Sequence, residues 1–216
     1  MPPIFIDAIL RPDHLSLNEN DTCLFFKEYR PNLKYDAVDN RLVQNFKKNR
    51  NTSSRRELQY KSEAINTVRN LFNTYFNENI EYANSLFVQI PPSKIIGDPG
   101  YDDRMDLVFR DLAVDYRHLI IRNENVIPDH TVNNRRSVEQ ILETIQINQN
   151  VLNFDQNQVV LVDDVLTVGR HFRACKQLIL NMFPEVNVTG LFIARRVPEV
   201  PNPNVFDFAN VDFLNI

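Results

Sequence analysis

The segment that constrains the fold most is the run VVLVDDVLTVGRHF, which occupies residues 159–172. Its first four residues, Val159–Val162, are apolar without interruption, which is typical of a strand buried on both faces of a parallel sheet. Two adjacent acids, Asp163 and Asp164, follow this run, and a short turn then leads into a helical pattern. The segment therefore predicts both carboxylates at the carboxyl end of a strand, where α/β proteins bind their ligands.

The residues after the turn complete a βαβ unit. Residues 169–183 have the apolar spacing of a helix, and residues 186–194 form a second apolar run. A strand, a helix and a strand within about 35 residues are typical of a parallel pair. Further upstream, the apolar run at residues 86–90 stops at Pro91 and predicts another strand. The predicted fold class is α/β, with a mostly parallel sheet flanked by helices.

Three more helices are predicted before this unit. The first begins at Ser54, whose spacing to Glu57 is that of a capping box, and its apolar stripe continues to Phe76. In the second, apolar residues step by three and four through residues 105–119. The third spans residues 137–147.

The turn after the two acids has the features of an anion site. Successive backbone N–H groups and the positive end of a helix dipole attract anions, and Gly169 allows the anion to approach the backbone closely. Carboxylates beside such a site suit a ligand with both hydroxyl and phosphate groups, usually with a bridging Mg²⁺. A sugar phosphate has both groups.

Two other classes of nucleotide site begin with a similar strand. Four apolar residues and an acid also resemble a Walker B strand, which requires a GxxxxGK[ST] loop elsewhere in the chain. A dinucleotide-binding Rossmann site requires GxGxxG. Neither pattern can be built from the four glycines of the chain, so both classes are excluded. These glycines are Gly97, Gly100, Gly169 and Gly190.

Residues 159–171 resemble the phosphoribosyl-pyrophosphate (PRPP) motif of type I phosphoribosyltransferases: four apolar residues, two acids, two apolar residues and then Thr-x-Gly. The helix after the motif and the run VTGLFIARR at residues 188–196 look most like the ComF-like (predicted amidophosphoribosyltransferase-type) subfamily. The resemblance covers about residues 85–196. It implies a type I phosphoribosyltransferase-like fold and transfer of ribose 5-phosphate from PRPP to a nitrogenous base or amine, with release of pyrophosphate.

The resemblance also implies roles for the residues of the motif. Asp163 and Asp164 would contact the ribose hydroxyls directly or through Mg²⁺. Mg²⁺ is the cofactor that the resemblance implies for an enzyme of nucleotide metabolism. Together with Thr167 the two acids are the catalytic candidates. The ligand's 5′-phosphate would be held by Thr167, Val168, Gly169, Arg170 and His171.

Pyrophosphate would be bound upstream of the motif. Ser93 and Lys94 follow the strand at residues 86–90, where the family has its pyrophosphate-binding loop. Residues 97–104 would form a mobile loop that closes over the site and brings Arg104 to the pyrophosphate.

The chain departs from the family in two respects. Val168 and His171 stand where the family usually has hydroxyl-bearing or small residues, so fewer side-chain hydrogen bonds to the phosphate are expected. The cysteine-rich zinc module that often precedes ComF-like domains is missing. Val168, His171 and the N-terminal segment without a recognised family favour an alternative, a regulatory module that binds PRPP or a nucleotide without catalysis.

The resemblance divides the chain into three parts. Residues 1–80 would be an N-terminal extension or hood without a recognised family, and residues 81–197 the phosphoribosyltransferase-like core. Residues 198–216 would be a tail that packs back through its phenylalanines. The N-terminal part could carry a surface for a partner protein, and a homodimer is an expectation of the resemblance.

The composition limits the classes of partner that the sequence suggests. Hydrophobic residues at 43% and charged residues at 24% are ordinary for a soluble protein, and a net charge of −4 gives no global reason to expect nucleic acid. A local cluster of five basic residues leaves a third possibility open, an effector whose activity is gated by nucleic acid or by a partner protein. Its members are more often solvated than phosphate-binding, as are Arg195 and Arg196 near the C-terminus. The basic cluster consists of Lys47, Lys48, Arg50, Arg55 and Arg56.

The cysteines and the N-terminus bear on the compartment. Cys23 and Cys175 are too few for a disulfide framework, and Cys175 is expected to be a core thiol. The first residues lack the pattern of a signal peptide, and no run of about 18 apolar residues predicts a membrane span. A cytoplasmic protein without a membrane partner is expected.

Overall fold

The computed structural model describes residues 2–79, 82, 84–128 and 136–199. The strands in this part of the chain are β1 (Ile4–Phe5), β2 (Thr22–Tyr29), β3 (Leu86–Gln89), β4 (Asp115–Arg117), β5 (Ile120–Arg122), β6 (Ile145–Ile147), β7 (Gln158–Leu166) and β8 (Asn187–Arg196). Six of them form one sheet in the order β1-β2-β8-β7-β3-β4. Only β1 runs antiparallel to its neighbour within this sheet. The small second sheet pairs β5 with β6.

Helices cover both faces of the six-stranded sheet. The helices of the described residues are α1 (Val38–Phe46), α2 (Arg55–Glu78), α3 (Arg104–Phe109), α4 (Val138–Leu142) and α5 (Arg170–Met182). One face packs Val159 and Leu161 of β7 against α4 and α5. The other packs Val160 and Val162 against α1, α2 and α3. Since β7 is apolar on both faces, it lies where the continuous apolar run predicted it, and the α/β class with a mostly parallel sheet is confirmed.

The capping box at the start of α2 is confirmed. The hydroxyl of Ser54 accepts a hydrogen bond from the backbone N–H of Glu57, and the Glu57 carboxylate accepts one from the backbone N–H of Ser54. The long helix that begins there buries Val68 and Phe72 against the sheet. A local sequence signal therefore fixes the first residue of a long helix that packs against one sheet face.

Two of the predicted helices are shorter than their apolar patterns. The prediction of a helix over residues 105–119 is wrong beyond Phe109, because residues 115–117 pair with β3 as the edge strand β4. Likewise, the helix predicted for residues 137–147 ends at Leu142, and residues 145–147 form β6. In both places strand pairing with a distant segment overrides a local helical spacing.

The first eighty residues contribute to the same sheet as the rest of the chain. Strand β2 lies between β1 and β8, and its register with β8 runs from Thr22 beside Thr189 to Tyr29 beside Arg196. Cys23 and Cys175 are both buried, as expected for core thiols. Residues 200–216, which include the phenylalanines of the predicted tail, lie outside the described residues. Within the described residues, no helix is long and apolar enough to cross a membrane.

Candidate functional site

Asp163 and Asp164 lie inside the carboxyl end of β7. The strand is longer than the apolar run, since its register with β8 continues to Leu166 beside Arg195. Asp164 is buried, whereas Asp163 is partly exposed. The two acids therefore lie near the carboxyl edge of the sheet in its fourth strand, which has parallel neighbours on both sides.

The turn that follows leads directly into α5. Gly169 is the N-cap of this helix and has a φ of 88°, in the left-handed region that favours glycine. Because the N-cap residue is glycine, it offers no side chain to accept hydrogen bonds from the backbone N–H groups of the first turn. A helix start with a glycine N-cap beside two carboxylates is the arrangement that the sequence predicted for an anion site.

The N-terminal segment packs against this turn. His14, which is fully buried, contacts the carbonyl oxygen of Thr167 through Nδ1. The backbone N–H of Ser16 donates a hydrogen bond of 2.8 Å to the carbonyl oxygen of Val168. Because these contacts use carbonyl groups, they fix the turn without occupying its N–H groups. Nothing in the sequence of residues 14–17 indicated this contact, which joins segments about 150 residues apart.

Two cations meet the carboxylate of Asp164. The guanidinium of Arg104 contacts Oδ2, and Nζ of Lys47 lies 3.1 Å from Oδ1. Arg104 also donates a hydrogen bond of 2.8 Å to Asp102, and its guanidinium lies 5.6 Å from the ring centroid of Phe46. The sequence placed Arg104 near the site, but Lys47 was one of five basic residues that no local signal separated.

The charges around the two acids separate their pKa values. Burial, together with the negative charge of Asp164, raises the pKa of Asp163 to about 7. Burial alone would also raise the pKa of Asp164, but the charges of Arg104 and Lys47 outweigh burial and lower it below its ordinary value. Near neutral pH Asp164 is therefore ionised, whereas Asp163 exchanges a proton and is ionised only part of the time.

Residues 91–104, which contain the pyrophosphate candidates, are held by several polar contacts. The carbonyl oxygen of Ser93 accepts a hydrogen bond of 2.8 Å from the backbone N–H of Val126. Lys94 lies in a cleft at the ends of β3 and β5, together with Tyr101 and Arg122. The described contacts thus bring Arg104, but not Lys94, to the carboxylate of Asp164. Arg104 lies in the first turn of α3, at the end of the predicted loop.

The rest of the motif lies in the turn before α5 and in the first turn of that helix. The guanidinium of Arg170 donates a hydrogen bond of 3.4 Å to the carbonyl oxygen of Arg136. His171 is partly exposed one residue further on, and Thr167 is exposed in the turn. All five residues predicted to hold the 5′-phosphate are therefore contiguous around one helix start.

Arg195 is not the surface charge that was expected. Its side chain is 7% exposed, and its guanidinium donates hydrogen bonds to Asp13 at 2.8 Å and to Glu28 at 2.6 Å. Strand β8 buries this residue beside Leu166 at the end of the sheet, and the two acids come from the N-terminal segment. Arg195 is therefore buried although it lies at the end of an apolar strand, because acids far away in sequence pair with it.

The basic cluster is largely neutralised within the molecule. Besides the contact of Lys47 with Asp164, Lys48 pairs with Glu57 at 3.0 Å and Arg50 pairs with Asp103 at 2.6 Å. These pairs take three of the five cluster residues and leave less unpaired charge for a nucleic acid than the sequence suggested.

Mg²⁺ is the cofactor that the resemblance implies. Among the described residues, no three His, Cys, Asp or Glu side chains form a group that could hold a metal ion. Mg²⁺ usually binds through one or two carboxylates together with the phosphates of a substrate, and the acidic pair suits that mode. Asp163 is the better donor because Asp164 is already paired with two cations. The residues therefore fit a Mg²⁺ that arrives with a phosphate-bearing ligand.

No protein-family model matches the sequence, and no curated protein matches it either. The resemblance to phosphoribosyltransferases therefore rests on the sequence alone, chiefly on residues 159–171.

Proposed function

We propose that the protein is a type I phosphoribosyltransferase that uses PRPP as the ribose 5-phosphate donor. One observation carries the proposal: the adjacent acids Asp163 and Asp164 lie near the carboxyl end of a central parallel strand, and the start of α5 follows after a turn with positive φ at its N-cap, Gly169. Carboxylates for a diol and N–H groups for a phosphate then lie together within residues 163–171.

The turn and helix start would bind the 5′-phosphate. The backbone N–H groups of residues 168–171 supply donors, and the positive end of the α5 dipole adds a favourable field for an anion. The hydroxyl of Thr167 is exposed beside them and is the one hydroxyl of the motif. Contacts from His14 and Ser16 keep the turn in this shape, so the site is largely formed before a ligand binds.

The acidic pair would bind the ribose. Carboxylate oxygens accept hydrogen bonds from the two ribose hydroxyls, and Asp163 is the more exposed side chain of the pair. A bound Mg²⁺ would neutralise charge on the departing pyrophosphate. Arg104 adjoins the pair and would donate to the same leaving group, with Lys94 and the backbone at Ser93 as the further candidates on the neighbouring strand end.

The reaction that these groups suit is displacement at the anomeric carbon. A nitrogen nucleophile forms a bond to that carbon as the bond to pyrophosphate breaks. Positive charge develops on the ribose ring in the transition state, and the fixed negative charge of Asp164 stabilises it. Because the pKa of Asp164 is lowered, its carboxylate stays ionised and supplies this stabilisation without proton transfer, and the proton that the nitrogen nucleophile loses passes to solvent.

A second function, PRPP binding without catalysis, is favoured by one observation. Asp164 is already paired with Lys47 and Arg104, which compete with the ribose hydroxyls for its oxygens. Such a site would exchange one set of contacts for another on binding, as a ligand sensor does, without any requirement for turnover.

Release of pyrophosphate separates the two functions. The purified protein is incubated with PRPP, Mg²⁺ and either ammonia or a panel of nucleobases, and pyrophosphate is measured over time. An acceptor-dependent release that Asp164→Asn abolishes supports the transferase. Matched Asp155→Asn, which alters an exposed acid before the opposite end of β7, is the control and is expected to behave like wild type. Stable PRPP in the presence of every acceptor, with binding retained, supports the sensor.

A further inference from the structure

The contact between Lys47 and Asp164 is not explained by any of the roles above. Nζ of Lys47 lies 3.1 Å from Oδ1 of Asp164, and the lysine side chain is 43% exposed whereas that of Asp164 is 6% exposed. Lys47 directly follows α1, whose last residue, Phe46, is fully buried under the guanidinium of Arg104. The packing of Phe46 therefore positions the lysine over the acidic pair from a part of the chain that the motif does not include.

Lys47 and Arg104 are held in different ways. Arg104 is fixed from several sides, by Asp102, by Asp164 and by the ring of Phe46. Lys47 is more exposed and has a flexible four-carbon stem with a compact charge at its end. Its ammonium can therefore leave Asp164 without disturbing the packing beneath it.

A ligand with a pyrophosphate group would change the balance of charge at this point. A pyrophosphate bound beside Arg104 would present several negative charges, whereas Asp164 presents one that it already shares with Arg104. Electrostatic attraction increases with the charge of the partner, so the exposed ammonium of Lys47 gains by moving to the pyrophosphate. The carboxylate that it leaves then accepts hydrogen bonds from the ribose hydroxyls.

We propose that Lys47 is a binding residue for the pyrophosphate group of the ligand, held by Asp164 before the ligand binds and exchanged to the pyrophosphate on binding. This inference rests on the proposed function, because it requires a ligand that has both ribose hydroxyls and pyrophosphate. It assigns part of the site to residues 1–80 and gives one member of the basic cluster a role that its neighbours do not share.

Three ligands that differ in one group each test the exchange. Isothermal titration calorimetry with Mg²⁺ present measures binding of PRPP, inorganic pyrophosphate and ribose 5-phosphate to wild type and to Lys47→Gln. The variant is expected to bind PRPP and pyrophosphate about tenfold or more weakly, because a charge-assisted contact is lost. Ribose 5-phosphate is expected to bind as well as before or more tightly, because Asp164 has lost a competitor.

Two further variants control for charge and for folding. Lys48→Gln removes the neighbouring lysine, which pairs with Glu57 rather than with the acidic pair, and should bind all three ligands like wild type. Lys47→Arg keeps the charge and should keep most of the affinity for pyrophosphate. Equal weakening of ribose 5-phosphate and pyrophosphate by Lys47→Gln, or no change in either, would overturn the inference while leaving the proposed function in place. If wild type binds none of the three ligands, both are wrong.

Discussion

Oδ1 of Asp163 accepts a hydrogen bond of 2.7 Å from the backbone N–H of Asp164, so the two acids stand side by side at the end of β7. Burial and this neighbouring charge together give Asp163 a pKa of about 7. Its carboxyl group therefore keeps its proton more strongly in the folded chain than in the unfolded chain, where the pKa is about 4.

This difference predicts how stability changes with pH. The contribution of a group with a raised folded pKa is fully present below its unfolded pKa and is lost as pH rises through the folded value. As pH rises from about 4 to about 7, the contribution of Asp163 to the free energy of unfolding should therefore decrease. The lowered pKa of Asp164 acts in the opposite sense, but below this window.

Asp163→Asn removes the titration and should flatten the profile. Relative to wild type, the variant should gain about 1–2 kcal/mol between about pH 5 and about pH 8, a value reduced from the full shift because Asp163 is partly exposed. Urea unfolding at the two pH values measures the difference. A variant whose pH profile runs parallel to that of wild type would contradict the prediction.

Gly169→Ala should destabilise the protein for two separable reasons. The φ of 88° is unfavourable for any residue with a Cβ, and a Cβ built there would lie 2.6 Å from Cδ2 of Leu17. The strained backbone alone costs about 1–2 kcal/mol, and the overlap should add about 1–3 kcal/mol. Chemical denaturation of the purified variant measures the sum.

The Leu17→Ala background separates the two costs. With the leucine side chain shortened, only the backbone cost should remain, so the two substitutions together should be less destabilising than the sum of each alone. Strict additivity would show that residue 17 does not press on the turn, and the account of the N-terminal segment as a support for the turn would then be wrong.

Ser54→Ala tests the start of α2. The variant loses the hydrogen bond to the backbone N–H of Glu57 and should lose about 1 kcal/mol of unfolding free energy. Ser53→Ala is the matched control one residue earlier, outside the capping box, and should change stability by less than about 0.5 kcal/mol. Equal losses in the two variants would contradict the assignment of the cap.

The sequence predicts those parts of the fold whose signals are local. The strand β7, the turn at Gly169 and the helix α5 follow from a continuous apolar run, a glycine and an apolar stripe within about 25 residues. The capping box at Ser54 is also a local signal. The edge strand β4 was mistaken for a helix because its pairing with β3 depends on residues almost thirty positions earlier.

The candidate site divides in the same way. Asp163, Asp164 and the helix start are adjacent in sequence and were predicted together. Lys47 and His14 reach the site only through the packing of α1 and of the N-terminal segment, and no local signal in the sequence marks either residue. A cation that pairs with a carboxylate far away in sequence has no periodic pattern around it. The sequence therefore could not distinguish Lys47 from the other four residues of the basic cluster.

Ligand-induced stabilisation is the most direct test of the central claim, that the acidic pair and the start of α5 bind PRPP. Thermal unfolding is followed for wild type, Asp164→Asn and Asp155→Asn, each with and without PRPP and Mg²⁺. At about 100 times the dissociation constant, the ligand should stabilise wild type and the Asp155 variant by about 2.7 kcal/mol. The shift should be absent from Asp164→Asn, measured against the melting temperature of that variant without ligand. No shift in wild type at millimolar PRPP, or an equal shift in all three proteins, would contradict the claim.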